Sequence, residues 1–418
     1  MFAAAVLAAD LATTLDLSER SEVRLRSTQQ AGAANQLGLD VLEQPEARLY
    51  AHDRRWDLTL DYSAQLVLPD LELGLAPLLL QTGSVGAAWH SREWRLSINE
   101  AATYGLQNSA YLLSTQPVQS AQSTQPVPGQ PTPVTPLATA PPATILFGST
   151  RTTGTATYSF DRFTTMTVGG GYFLYGGLDA ASQATLPEQT GEQALAVFDR
   201  RLTRSDTLET ALNAQRIDFT RTPCIPQTGP IDPTVLCTPS DELAQGIERL
   251  RHTLSRTETL TVGAGAAIGA VREQPDVPYH VAYFPVAEAL YTRQLERVGT
   301  QLDREGSSLS VTARLAPYVD PLTGIVLNAL LGNVSLVERL SPQLTLTVTV
   351  GASQNLPASD PAAASIARGD VSMDYRVNRR VLLTVGERSF WENENGLGSF
   401  ATAIGYVAVT VREPTLRF

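Results

Sequence analysis

Side chains that could carry out catalysis are few in this sequence and lie far apart. The 418-residue chain has four histidines, His52, His90, His252 and His280, and two cysteines. Nucleophilic catalysis needs a nucleophile, a base and an orienting group within hydrogen-bonding reach of one another. None of the histidines has a serine and an acid at a spacing typical of a protease or a lipase. The sequence therefore predicts neither an enzyme nor a bound cofactor or metal ion.

A glycine-rich segment, Gly263 to Gly269, is superficially similar to a phosphate-binding loop for dinucleotides. Such a loop follows a strand and opens a helix. Here the alternation of apolar residues continues through the glycines, from Leu260 to Ile268. The segment is therefore interpreted as a strand whose small residues share one face.

Composition argues against two broad classes of protein. Charged residues make up 17% of the chain, against about 25% in an ordinary soluble domain. The formal net charge is −11 and every basic residue other than histidine is an arginine, which argues against a lysine-rich nucleic-acid surface. No stretch reaches the roughly 20 consecutive apolar residues of a membrane-spanning helix. We therefore predict no nucleic-acid partner and no transmembrane helix.

Apolar and polar residues alternate along nearly the whole chain. In the clearest case Leu58, Leu60 and Tyr62 are separated by polar residues, and the pattern returns at 260–268 and 344–350. A period of two predicts strands with one apolar face. We count about eighteen such segments, with sixteen as the alternative, and many are ten to fifteen residues long. This length exceeds the usual five or six residues of a globular sheet and suits a tilted strand that crosses about 25 Å of lipid.

The connections between these segments alternate between tight turns and longer loops. Eight are tight, such as Asp161-Arg162 and Ser341-Pro342, and nine are longer, including one predicted at 27–44. An eighteen-strand up-and-down sheet has this pattern when both termini lie on the tight-turn side. Closing the sheet into a ring removes its free edges. We therefore predict an all-β fold, a transmembrane antiparallel up-and-down β-barrel, with a soluble β-sandwich or solenoid as the alternative.

A short repeat accompanies three of the tight turns. Arg162, Arg256 and Arg379 each lie in a turn, and a Thr-Val-Gly triplet ends seven residues after each of them. A hairpin unit of this kind cannot bury its apolar face alone, so its copies must pair edge to edge. The repeat therefore supports the predicted strand register.

With these features the chain resembles the Gram-negative outer-membrane β-barrels over essentially its full length, and like many of them it ends in phenylalanine, Phe418. The last strand is predicted to end near Arg412, with Phe418 trailing beyond it. The hairpin at 254–265 (LSRTETLTVGAG) is similar to barrels associated with exopolysaccharide export in Myxococcus-type bacteria. The resemblance implies a location in the outer membrane of a Gram-negative bacterium. It also implies contact with outer-membrane lipid and lipopolysaccharide, and a periplasmic polysaccharide-export component as a partner.

Three segments flank or interrupt the predicted barrel of 10–418. Residues 1–9 (MFAAAVLAA) are interpreted as the remnant of a signal peptide cut short, or as a frayed apolar N-terminus. Residues 105–148 form a loop rich in Pro, Gln, Ser and Thr, which favours a flexible surface loop over an inward constriction. The loop at 220–242 contains Cys224 and Cys237. Two thiols without nearby histidines do not make a zinc site, so we predict a disulfide worth about 3 kcal/mol in chain entropy.

Polar residues in the phase opposite to the apolar positions are predicted to line the interior. An eighteen-strand barrel is too wide for side chains alone to fill, which leaves an aqueous channel. The two signs of charge are mixed, which favours a neutral or sugar-like solute over a strongly selected ion. Arg249 and Arg251 are further candidates whose phase is ambiguous, because Glu248 and His252 occupy the other face of their strand. The predicted lumen residues are Glu46, Arg48, Asp57, Asp61, Arg95, Asn99, Arg151, Arg314, Arg368, Asp370, Asp374, Arg376 and Arg388.

Three classes of function fit this prediction. The favoured class is a passage channel, most of all the exit barrel of an exopolysaccharide secretion system, with a general diffusion porin as the alternative. A structural or surface-display barrel is the second class. A barrel enzyme is the third, and the scarcity of candidate catalytic groups argues against it.

Overall fold

Eighteen long strands follow one another along the chain, and each pairs with its neighbours in an antiparallel ladder. The computed structural model describes residues 12–30, 35–69, 77–108, 144–220, 222–223, 236–237, 240–272, 280–295, 307–319, 326–356, 364–394 and 398–418. The wall strands are β1 (Ala12–Gln30), β2 (Gln36–His52), β3 (Trp56–Leu68), β4 (Leu78–His90), β5 (Trp94–Asn108), β6 (Thr144–Ser159), β7 (Thr164–Gly177), β8 (Gln189–Arg201), β9 (Asp206–Phe219), β12 (Ser240–Thr253), β13 (Glu258–Arg272), β14 (His280–Leu295), β15 (Ser307–Val319), β16 (Val326–Arg339), β17 (Leu344–Leu356), β18 (Ala364–Arg376), β19 (Val381–Glu394) and β20 (Gly398–Arg412). Three two-residue strands complete the set: β10 (Thr222–Pro223) pairs with β11 (Leu236–Cys237), and β21 (Leu416–Arg417) pairs with β1.

The first strand closes the ring by pairing on both of its edges. Arg24 lies opposite Asp40 of β2 on one side and opposite Tyr406 of β20 on the other. The predicted eighteen-strand up-and-down β-barrel is thereby confirmed. In the described part of the chain, no helix is both long and apolar enough to cross a membrane. One short helix, α1 (Ala180–Thr185), follows β7.

The last wall strand ends at Arg412 as predicted, and the C-terminal tail beyond it pairs with β1. The ladder between β1 and β20 ends where Ser18 meets Arg412, which leaves the start of β1 without β20 as a neighbour. Leu416 and Arg417 pair with this stretch, and the N–H of Phe418 donates to the carbonyl of Thr13 at 3.0 Å. The tail therefore covers a strand edge that would otherwise be open.

A second difference concerns the loop predicted at 27–44. Strands β1 and β2 extend through most of that segment and stay paired as far as Thr28 and Gln36. Arg26 forms an ion pair with Asp40 at 3.3 Å, and Asp40 is fully buried. Asp40 and Thr28 are therefore strand residues that are buried on the inner face.

Seven described tight turns share one local structure. In each, a side-chain oxygen accepts a hydrogen bond from the backbone N–H two or three residues later, as in the Asx and Ser/Thr turns. In the turn after β6, for example, Oδ1 of Asp161 accepts from the N–H groups of Phe163 at 2.6 Å and Thr164 at 2.8 Å. These N–H donors hold the pKa of Asp161 below its ordinary value. The seven capping residues are Asp53, Ser91, Asp161, Thr203, Ser255, Ser341 and Asn378.

The two faces of the wall differ as the alternation predicts. Large apolar side chains such as Ile98 and Leu212 are more than half exposed on the outer face, while polar side chains such as Arg249 are buried on the inner face. The outer face is interrupted by exposed carboxylates at Glu100 and Glu387. An outward apolar band around a polar interior is the arrangement of a barrel in lipid.

The wall departs from a regular ring between β14 and β15. Their ladder ends where Ala287 meets Leu315. Two residues further, the same register would place Pro285 opposite Pro317, and neither proline has an N–H to donate. Beyond this point the described part of β14, His280 to Val286, pairs with β13 alone among the described strands.

Between the two prolines and the long-loop end of the barrel, the end of the β15–β16 hairpin turns inward. β15 stays paired with β16 as far as Val319 and Val326. Both valines pack in one cluster with Ala267 and Val286, which belong to the inner faces of β13 and β14. A Cβ at Gly269 of β13 would lie 3.0 Å from Val326, so the contact is close. The hairpin end therefore narrows the interior on the side of the long loops.

Candidate functional site: the barrel lumen

The strand registers place all thirteen predicted lumen residues on the inner face. They fall into two main groups, one on β2 to β5 and one on β18 and β19, with Arg151 on β6 and Arg314 on β15 between them. Their contribution to passage of a solute stays a prediction. The register also resolves Arg249 and Arg251, which share the inner face with Glu209 and Thr207 opposite them.

The first group forms a chain of polar contacts across β2, β3 and β4. Arg48 is ion-paired with Asp61, its direct cross-strand neighbour. Asp57 accepts a hydrogen bond from the hydroxyl of Tyr50 at 2.9 Å and contacts Nε2 of His90 at 2.5 Å. The charged groups Arg48, Asp61 and Asp57 therefore each have a partner on a neighbouring strand.

The second group joins the two ends of the chain in what we term the closure cluster: Arg20, Glu22, Arg24, Asp370, Arg388 and Tyr406. Glu22 is 2% exposed and pairs with Arg20 at 2.8 Å and with Arg24 at 2.5 Å. Arg388 reaches across β20 to Glu22 at 3.8 Å and pairs with Asp370 at 3.1 Å. The Arg388 guanidinium lies 4.4 Å from the centre of the Tyr406 ring.

A third set of charges lies on the opposite wall and centres on Arg249. Its Nη1 contacts Glu209 of β9, and its Nη2 contacts Glu288 of β14 at 3.1 Å. To reach Glu288 the arginine must cross β13 at Gly263, where a Cβ would lie 2.9 Å from its side chain. Glu288 is also directly opposite Arg314. We call Glu209, Arg249, Glu288 and Arg314 the Arg249 cluster.

The structure explains the glycine of the Thr-Val-Gly repeat at two of its three positions. Gly263 leaves room for Arg249, and Gly386 leaves room for Tyr406, because a Cβ at Gly386 would lie 2.6 Å from the tyrosine ring. Each glycine lets an inward side chain from a neighbouring strand lie flat across the wall. The repeat is therefore a feature of the interior as well as of the hairpins.

Sequence reasoning missed several of the charged residues that the structure brings together. Glu22 and Arg24 alternate with Val23 and Leu25, so the phase of β1 was readable from its sequence. Asp40 was missed because it lay in the segment predicted as a loop. Other missed residues are Arg20, Arg26, Glu209 and Glu288.

Three of the sequence predictions fall on residues outside the described part of the chain. They are the apolar N-terminus at 1–9, most of the proline-rich loop at 105–148, and Cys224. Cys237 lies in β11, in the small ribbon with β10. The Cys224–Cys237 disulfide therefore stays a prediction.

Two imidazole–carboxylate pairs are present among the described residues. His90 contacts Asp57, and Nδ1 of His252 contacts Asp206 at 2.6 Å. Within the described part of the chain, neither imidazole is hydrogen-bonded to a serine or a cysteine that it could activate.

A closed ring of long strands with an apolar outer face and a polar interior defines an outer-membrane β-barrel channel. Residues 6–412 match the model of the EpsX exopolysaccharide export family, and the chain belongs to that family. The family points to a channel rather than to an enzyme.

Several solved structures are similar to this barrel. OpdQ of Pseudomonas aeruginosa is 11% identical, with 96% of this chain and 98% of that chain covered and a TM-score of 0.46. OccK2 (OpdF) of Pseudomonas aeruginosa, solved in complex with glucuronate, is 11% identical, with 96% and 98% covered and a TM-score of 0.47. The FrpB iron transporter of Neisseria meningitidis is 9% identical, with 94% and 82% covered and a TM-score of 0.46. No curated protein matches the chain.

Proposed function

We propose that this barrel is the outer-membrane exit of an exopolysaccharide secretion system in a Gram-negative bacterium, and that the polymer passes through its lumen. The observation that carries the proposal is the match to an exopolysaccharide export family over residues 6–412. A closed wall with a polar inner face supports the route through the barrel rather than along its surface.

The chemistry of the inner wall suits a sliding sugar chain. Conduction requires contacts that are favourable enough to admit the solute and weak enough to release it. Cross-strand hydroxyl pairs such as Ser97 with Thr155 at 2.6 Å and Thr157 with Thr167 at 2.9 Å can exchange hydrogen bonds with sugar hydroxyls. Several inner arginines, such as Arg48, Arg249 and Arg388, are paired with carboxylates, so the inner wall is not a ring of one sign that would trap an ion.

The inward end of the β15–β16 hairpin favours controlled exit over general diffusion. It occupies space beside the inner faces of β13 and β14 at the end with the long loops. In outer-membrane barrels the long loops are external and the short turns face the periplasm. A polymer that enters past the turns would therefore meet the narrow region as it leaves.

The proposed partners follow from the same orientation. The apolar outer face contacts lipid, and the long loops meet lipopolysaccharide at the cell surface. The short-turn end is the side on which a periplasmic polysaccharide-export component would deliver the polymer. Both contacts follow from the orientation and from the export role proposed above.

The proposal is tested by deleting the gene and then complementing the deletion strain with the unaltered chain. The deletion strain is expected to lose its surface polysaccharide, and the unaltered chain is expected to restore it. A deletion strain that keeps its surface polysaccharide would overturn the export role.

Paired tryptophan substitutions test the route through the lumen. Asn99→Trp with Asn333→Trp places two indole side chains on the inner face, while Ile98→Trp with Val334→Trp places two on the outer face one residue away. We expect the inner variant to restore less than half of the surface polysaccharide and the outer variant to restore nearly all of it. Equal restoration by two equally abundant barrels would contradict passage through the lumen.

A further inference from the structure

Five arginines surround a cavity at the short-turn end of the barrel. The cavity has a volume of about 320 Å³ and lies between the turn after β16, the turn after β18 and the end of β20. We call it the arginine pocket; its charged lining residues are Arg339, Arg376, Arg379, Arg380, Arg412 and Asp374. Among the described residues, no other charged side chain lines it.

The charges of the arginine pocket are less balanced than those of the closure cluster and the Arg249 cluster. Asp374 is the single carboxylate, and it also accepts a hydrogen bond from Thr384 at 2.5 Å. Arg339 donates to the carbonyl of Pro342 at 3.0 Å. The other four arginines form no ion pair with any described residue. In a chain of net charge −11, this is a local excess of positive charge.

Clustered guanidinium groups repel one another, and an anion between them removes the repulsion. Arginine binds planar carboxylate groups through two parallel hydrogen bonds, which a lysine does not reproduce. The cavity volume lies at the lower end of the range of about 300–1,000 Å³ for small-molecule sites. The arginine pocket is therefore large enough for a single acidic sugar unit and too small for an extended protein surface.

The position of the arginine pocket selects which acidic ligand can reach it. Thr345 lies opposite Asp374, and Arg376 lies opposite Leu382, and all four are inner-face positions of β17, β18 and β19. The strand residues of the pocket lining therefore face the mouth of the lumen, and a polymer that enters the barrel passes this site.

We propose that the arginine pocket binds the carboxylate groups of an acidic polysaccharide as the chain enters the barrel. This inference rests on the proposed export function and names the substrate class as a uronic-acid-type polymer. Binding at the mouth would concentrate and align the polymer, and the paired charges farther inside would let it move on.

Binding of tetragalacturonate to the purified full-length barrel tests the proposal by calorimetry at low ionic strength. The pocket variant carries Arg376→Gln, Arg379→Gln, Arg380→Gln and Arg412→Gln. The matched control changes the same amount of charge at turn tips elsewhere, with Arg54→Gln, Arg92→Gln, Arg204→Gln and Arg256→Gln, all of which are exposed. We expect the pocket variant to bind at least tenfold more weakly than the unaltered barrel and the control to bind within twofold of it.

Neutral maltotetraose and hexa-aspartate separate the ligand classes. Maltotetraose is expected not to bind, and hexa-aspartate is expected to bind more weakly than tetragalacturonate. Equal weakening in the pocket and control variants, or no tetragalacturonate binding to the unaltered barrel, would overturn the proposal. Preferential binding of hexa-aspartate would also overturn it and would indicate an acidic protein as the ligand.

Replacement variants and the independence of the two assays keep the proposal testable. If the pocket variant does not fold, the single changes Arg379→Gln and Arg380→Gln at an exposed turn replace it, and each is expected to weaken binding about threefold. The binding assay uses purified protein, so it is independent of the secretion phenotype. Tetragalacturonate binding in the arginine pocket together with a deletion strain that keeps its polysaccharide would refute the export function and leave the acidic-ligand site standing.

Discussion

Arg249→Gln is expected to destabilise the barrel, because it leaves two carboxylates without their shared cation. Arg249 lies between Glu209 and Glu288, and its side chain is 6% exposed, while theirs are 13% and 16% exposed. Gly263 makes the contact with Glu288 possible by leaving the space across β13 empty. The substitution keeps the first three carbons of the side chain and removes the guanidinium group, with its charge and its N–H donors.

The expected loss in the free energy of unfolding is about 3 kcal/mol. Removing one partner of a buried ion pair typically costs about 3–5 kcal/mol, because the remaining charge is left in a poorly solvated place. The lower end applies here because both carboxylates keep some contact with water and because Arg314 lies opposite Glu288. Replacing all four members of the Arg249 cluster by glutamine (Glu209, Arg249, Glu288 and Arg314) leaves no stranded charge among them, and this quadruple variant is expected to stay within about 1 kcal/mol of the unaltered barrel.

Equilibrium unfolding by guanidinium chloride in lipid vesicles, followed by tryptophan fluorescence, measures these differences. Arg251→Gln on the same strand is the matched control, because Arg251 is 46% exposed and lies 4.0 Å from Asp199. An exposed pair of this kind contributes less than about 1 kcal/mol. A loss below about 1 kcal/mol for Arg249→Gln, or a quadruple variant as unstable as the single one, would refute the reasoning.

Three further outcomes are expected. Gly386→Ala should cost about 1–3 kcal/mol of unfolding free energy, because its Cβ would lie 2.6 Å from Tyr406 and 2.7 Å from a backbone carbonyl; Gly405→Ala, which meets no atom within 4 Å, should change it by less than about 0.5 kcal/mol. Asp161→Ala should lower the unfolding free energy at neutral pH, because the lowered pKa of Asp161 means that its ionised form stabilises the turn. That difference should vanish as the pH falls through the lowered pKa, and an equal loss at every pH would contradict it. On the edge of β14 that faces β15, the backbone amides of residues 280–286 should exchange hydrogen faster than those of 287–295, because only the latter pair with β15. Equal protection of the two sets would contradict the end of the ladder at Ala287.

Much of the fold was predictable because alternation is a local property of each strand. Leu58, Leu60 and Tyr62 recur with a period of two, and that is sufficient to assign a strand and its outer face without knowing its neighbours. The tight turns were equally local, since a capping oxygen followed by arginine or proline recurs at seven of them. Strand number and antiparallel order followed from the succession of turns and loops.

The ends of strands β1 and β2 were less predictable, because polar residues flank the connection between them. Residues 27–44 carry few large apolar side chains and were therefore interpreted as a loop, although most of them belong to β1 and β2. The same reasoning left Asp40 out of the candidate site. The inward turn of the β15–β16 hairpin was also missed, because Pro285 and Pro317 show their meaning only when the register places them opposite each other.

The sequence by itself determined the class of this protein, since the period of its strands and the spacing of its turns depend only on neighbouring residues. The tertiary structure decided which charges meet. Glu22 and Arg388 lie at opposite ends of the chain and come together only because β1 closes the ring against β20. Arg249 meets Glu288 across an intervening strand, and the arginines of the pocket converge from three separate elements. These pairings depend on register and on closure of the ring, which no single stretch of sequence encodes.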